Sequence, residues 1–64
     1  MSSTAPDTRQ RILQATLELL EESRGQGVRM SDIAKRARIS RQALYLHFET
    51  RAKLMIATTF YLDE

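Results

Sequence analysis

The sequence predicts an all-α domain, and three observations carry that prediction. Apolar residues recur at the spacing of a helix in four separate segments. Capping residues and glycines stand between those segments, where helices must start and stop. The chain has only 64 residues and no cysteine, so a single small core without a disulfide framework or thiolate metal site must hold it together.

The first helix is expected to begin at Asp7 or Thr8, either of which can cap it. Ile12, Ala15, Thr16, Leu19 and Leu20 then follow the i, i+3, i+4, i+7, i+8 pattern, and Leu13 and Leu17 widen the stripe. Gly25, Gln26 and Gly27 are expected to end it, because glycine accepts the left-handed conformation past a helix end. Val28 leads back to the core. In the second helix Met30, Ile33, Ala34 and Ala37 fall inward, and Asp32, Lys35 and Arg36 outward. Ser40 is a good N-cap for a third helix of about residues 40–48, with Ile39, Leu44 and Phe48 facing the core and Arg41, Gln42, Ala43, Tyr45 and Leu46 facing out or sideways. Thr50 is expected to cap a fourth helix. Its inner stripe is Leu54, Ala57, Thr58 and Tyr61, while Met55, Ile56 and Phe60 spill onto other faces.

Charge is unevenly placed. Arg29 to Lys53 holds seven basic residues and two acidic ones, a balance of +5, and the remainder holds three basic and six acidic, a balance of −3. Positive charge therefore gathers around the second and third helices, as a phosphate-facing surface requires. His47, the one histidine, has no cysteine or second histidine beside it, so neither a metal site nor a cofactor is expected. Nothing converges for acid–base or nucleophilic work, so an enzyme is not expected. No apolar stretch spans a bilayer and the N-terminus lacks a signal peptide's hydrophobic region, giving no membrane partner and a cytoplasmic expectation.

Residues 31–48 carry the functional reading. Two short helices meet at Arg38-Ile39-Ser40, and the second shows donors at its N-terminal end, the plan of a helix-turn-helix that lays its second helix in the major groove of duplex DNA. Arg41 can pair with guanine and Gln42 with adenine, and Ala43 is small enough to approach a thymine methyl. Arg51 lies in the first turn of the fourth helix, where backbone N–H groups and the helix dipole favour a phosphate, with Lys53 beside it.

The chain resembles the N-terminal DNA-binding domain of the tetracycline-repressor (TetR) family of bacterial transcription regulators. The resemblance rests on Arg9, Ile12, Leu13, Ala15 and Leu19 in the first helix and on Ile33-Ala34 in the second. It continues through Ile39-Ser40, Leu44-Tyr45 and His47-Phe48 to Arg51. It implies a homeodomain-like three-helix bundle with helix-turn-helix, plus the start of a fourth helix. It also implies phosphate contacts from Ser40, Tyr45 and His47, and a nucleoid-associated regulator that acts as a repressor. Arg38 stands where the family commonly has glycine, Thr16 where it frequently has alanine, and no threonine caps the second helix near Arg29.

On this reading residues 1–7 form a flexible arm and 8–64 the DNA-binding domain. The family's effector-binding, dimerising domain is absent, so the chain is expected to be monomeric and a palindromic operator to be read only by the dimer of an intact protein. A small-molecule effector would act only through that missing domain. The competing reading is a non-enzymatic helical protein-interaction module, with Leu46, Met55, Ile56 and Phe60 as its contact surface.

Overall fold

The computed structural model describes residues 7–24 and 26–62. Apart from Asp7, the expected N-terminal arm lies outside the described residues, as does Gly25. Four helices follow in order: α1 Thr8–Ser23, α2 Met30–Ala37, α3 Arg41–His47 and α4 Arg51–Leu62. α1 is the central strut, packing on both α2 and α4, and α2 in turn supports α3.

α1, α3 and α4 start by the same local chemistry. Asp7 Oδ1 accepts from the Gln10 backbone N–H at 2.8 Å, Ser40 Oγ from Ala43 at 3.0 Å, and Thr50 Oγ1 from Lys53 at 3.1 Å. Each bond satisfies one donor that the helix itself leaves unpaired. α2 begins differently. Arg29 is extended and makes no side-chain cap bond, and the first-turn Asp32 supplies the negative charge that the helix dipole favours.

The end of α1 corrects the sequence expectation. The left-handed residue is Arg24, at φ 57°, and its N–H bonds the Leu20 carbonyl. Ser23 Oγ donates to the Leu19 carbonyl at 2.8 Å. With both carbonyls satisfied locally, the helix closes before the glycines. Gly27 adopts φ +70° three residues further on, where the chain turns toward Val28.

The core is made by Ile12, Leu13, Ala15, Val28, Met30, Ile33, Ala34, Ala37, Leu44, Phe48 and Leu54. Leu19, Leu20, Ile39, Met55, Ala57 and Tyr61 pack against it from partly buried positions. Thr16 and Thr58 are also buried, and each hydroxyl donates to the carbonyl four residues back, Ile12 and Leu54 respectively, at 2.8 Å. Both threonines are thus buried without leaving a polar atom unpaired. Ile56, Phe60 and Leu62 are exposed on α4, whereas Met55 is not: it lies partly buried against the core, which removes it from the contact surface expected of an interaction module. Among the described residues no helix is long and apolar enough to cross a membrane.

Candidate nucleic-acid interface

The junction between α2 and α3 is set by Arg38, which sits in the left-handed region at φ 63°, ψ 45°. Its N–H bonds the Lys35 carbonyl, and the Ile39 N–H bonds the Ala34 carbonyl at 3.0 Å. This pair is a Schellman closure of α2. One further carbonyl at that end, Ala37, accepts from Arg11 Nη2 of α1 at 2.6 Å. Ile39 then stands just before the Ser40 cap, with Leu44 at the fourth helical position. Both bury against the core, the placement that fixes a helix's entry angle.

α3 is therefore held from below and open above. Leu44 is fully buried, and Phe48 closes the helix with an extended backbone beneath the Arg9 guanidinium, 5.7 Å from the ring centroid. Ser40, Arg41, Gln42, Tyr45, Leu46 and His47 are exposed and Ala43 is half-buried. Tyr45 is 40% exposed, enough to free its hydroxyl end while its ring leans on the protein. No hydrogen bond or ion pair engages the side chains of Arg41, Gln42, Tyr45 or His47 among the described residues.

The neighbouring charges divide into two sets. Arg36 is clamped to α1: Nη1 and Nη2 reach the two carboxylate oxygens of Glu22 at 2.8 Å each, and Nη1 also reaches Glu18 Oε1 at 3.1 Å. These bonds raise the Arg36 pKa and hold Glu22 below the ordinary carboxylate value. Arg29, Lys35, Arg38 and Arg41 form no ion pair among the described residues. Glu18 and Glu22 of α1 thus neutralise Arg36, which braces α2 to α1, and leave Arg29, Lys35, Arg38 and Arg41 around α3 without an ion-pair partner among the described residues.

Arg51 and Lys53, expected at phosphates, have partners within the fold. Arg51 Nε donates to the Val28 carbonyl at 3.0 Å, tying the start of α4 to the approach to α2. That bond uses one of five guanidinium donors and leaves the terminal nitrogens for another acceptor. Lys53 Nζ pairs with Glu49 at 2.7 Å, and this bond holds the Glu49 carboxyl below its ordinary value. Both partners are exposed, and such a surface pair is worth little, so a phosphate can replace it. Sequence reasoning missed the Arg11–Ala37, Arg36–Glu22 and Arg51–Val28 ties. Among the described residues no group of three or more metal-ligating side chains comes together.

Residues 12–58 match the family model of the bacterial regulatory proteins of the tetR family. The chain is 36% identical over 64 residues to the nucleoid occlusion factor SlmA of Marinomonas sp., a match covering all of this chain and 32% of that protein. It is 33% identical over 64 residues to SlmA of Marinobacter nauticus, again over its whole length and 33% of the relative. With SlmA of Aliivibrio fischeri the identity is 35% over 60 residues, covering 92% of this chain and 31% of the other. The chain therefore spans about a third of the length of the curated relatives it matches. No solved structure matches it.

Proposed function

The chain belongs to the tetR family of bacterial regulatory proteins, whose helix-turn-helix DNA-binding domain it carries, and on that premise we propose that α3 lies in the major groove with Arg41, Gln42 and Ala43 at base edges. Ser40, Tyr45, His47, Arg51 and Lys53 contact phosphates on either side. The observation that carries this reading is the exposure of α3, whose Arg41, Gln42, Tyr45 and His47 side chains all reach solvent and none of which has a polar partner among the described residues. A donor-rich helix face in water, rimmed by uncompensated cations, suits a polyanion whose groove admits a helix.

In an intact regulator two such heads would occupy half-sites about one helical turn apart on a palindromic operator and repress by occupancy. Dimerisation and effector binding belong to residues other than these 64. The 64 residues alone are monomeric on this reading and bind weakly, near the non-specific range of ~10⁻⁴–10⁻⁶ M at physiological salt, with only a small preference for one half-site. No catalytic step is assigned to them.

A salt titration of binding to random-sequence duplex DNA tests the proposal. Affinity should fall steeply and log-linearly with salt concentration, each neutralised phosphate contributing about −0.9 to the slope. A flat dependence would overturn it and favour a protein-interaction role for the exposed Ile56, Phe60 and Leu62 of α4.

A further inference from the structure

One apolar side chain stands where a reading helix is expected to be polar. Leu46 is 83% exposed, more than any other large hydrophobic residue among those described. Its direction follows from helix geometry. Residues advance about 100° around a helix axis, so with Leu44 pointing into the core, Gln42 and Leu46 each lie about 160° away, Ala43 and Tyr45 about 100°, and Arg41 and His47 about 60°. Gln42 and Leu46, four residues apart, therefore form the outermost line of α3, one turn above the other. Ala43 is turned aside and half-buried, and its N–H is engaged by Ser40.

We propose that Leu46 is a specificity-determining residue that packs on the C5 methyl of a thymine, next to the base pair read by Gln42. This rests on the major-groove reading of α3 given above. The major groove presents one large apolar group, the thymine methyl, and an isobutyl side chain on the outermost line of the helix is its natural partner. Gln42 favours adenine through paired hydrogen bonds to N6 and N7. The two stacked side chains together select a short A·T-containing step. A cytosine at Leu46's position offers no methyl and faces the leucine with an amino group that loses its water without gaining an acceptor.

The experiment uses the 64-residue chain and duplexes it enriches from a random pool at low salt. Each thymine in the enriched sequence is replaced in turn by deoxyuridine, which removes the methyl and nothing else. One replacement should weaken binding about fourfold, the equivalent of ~0.8 kcal/mol for one buried carbon. Leu46→Ala should bind the unmodified duplex more weakly by a similar factor and be indifferent to that replacement. Alanine is the best helix former and the site is exposed, so the variant should keep the wild-type melting midpoint. If a sequence is enriched but Leu46→Ala keeps the full methyl sensitivity, another residue such as Ala43 reads the methyl, and the assignment of Leu46 is wrong while base readout stands. If no thymine shows methyl sensitivity, the assignment also fails. If no sequence is enriched at all, the base-reading role of α3 fails and the inference falls with it.

Discussion

Arg11 of α1 donates from Nη2 to the main-chain carbonyl of Ala37 at 2.6 Å, across 26 residues of sequence. The contact satisfies a carbonyl at the C-terminus of α2 and pins the entry to the α2–α3 turn onto the central helix. Arg11→Met keeps the aliphatic stem but removes the charged donor. A hydrogen bond to a charged group contributes about 1.5–3 kcal/mol, so chemical denaturation should show a loss in that range. An unchanged midpoint would mean that water replaces the guanidinium without cost.

The arginine at position 38 occupies a left-handed conformation at φ 63°. That conformation costs a non-glycine residue roughly 1–2 kcal/mol, and glycine nothing. Arg38→Gly should therefore raise stability by up to about 1 kcal/mol, after allowance for glycine's more disordered unfolded state. It should also weaken DNA binding by removing a cation beside α3. A lower thermal midpoint for the glycine variant would show that the Arg38 side chain contributes more to the fold than its backbone costs.

The Arg36–Glu22 clamp predicts a pH dependence. Hydrogen bonding from Arg36 holds the Glu22 carboxyl below its ordinary value of 4.5 in the folded state, and Lys53 does the same for Glu49. A depressed carboxylate contributes stability that is complete above the unfolded value and is lost as pH falls through the folded one. The melting midpoint should decline as pH drops below about 4.5. The decline should be shallower in Glu22→Gln and in high salt, because these pairs are exposed and screened. Equal slopes for wild type and Glu22→Gln would show that the clamp does not couple protonation to folding.

Arg51 has two assignments that can be separated. Its Nε bond to the Val28 carbonyl is structural, and its phosphate contact is part of the proposed function. Arg51→Lys should lower stability by about 0.5–1.5 kcal/mol for the lost bond yet keep the salt slope of DNA binding. Arg51→Ala should lower both, reducing the slope by about one and weakening all sequences alike. Arg41→Ala should behave differently again, relaxing preference at one base pair at a cost of ~1–3 kcal/mol. Uniform losses across a base-substitution series for both alanine variants would remove Arg41 from base readout.

The local devices of the fold were legible in the sequence. Ser40 and Thr50 were readable as caps because a hydroxyl three residues before an unpaired N–H is a short-range relation, and Met30, Ile33, Ala34 and Ala37 were readable as a face because period alone sets it. The ties that position the interface were not legible. Arg11 to Ala37 and Arg51 to Val28 join a side chain to a backbone carbonyl 26 and 23 residues away, and a carbonyl has no letter in the sequence. The sequence misplaces the end of α1 for a related reason. Glycines advertise left-handed conformations, but Arg24 adopts one because Ser23 and the Leu20 carbonyl close the helix first. The exposed, unpaired face of α3 could be anticipated from Arg41, Gln42 and Tyr45. The prominence of Leu46 needed the burial of Leu44 to fix the helix's rotation.

α3 is only seven residues long and fully buries a single side chain, Leu44. A segment of two turns is far too short to persist in water on its own. It exists only in molecules whose whole core is assembled, so the fraction of chains able to bind equals the fraction folded. Apparent affinity is the intrinsic affinity discounted by that fraction. Warming toward the melting midpoint should thus erode occupancy of DNA before any contact in the groove is altered, which makes the operating temperature of the head a property of Leu44 and its neighbours rather than of Arg41 and Gln42.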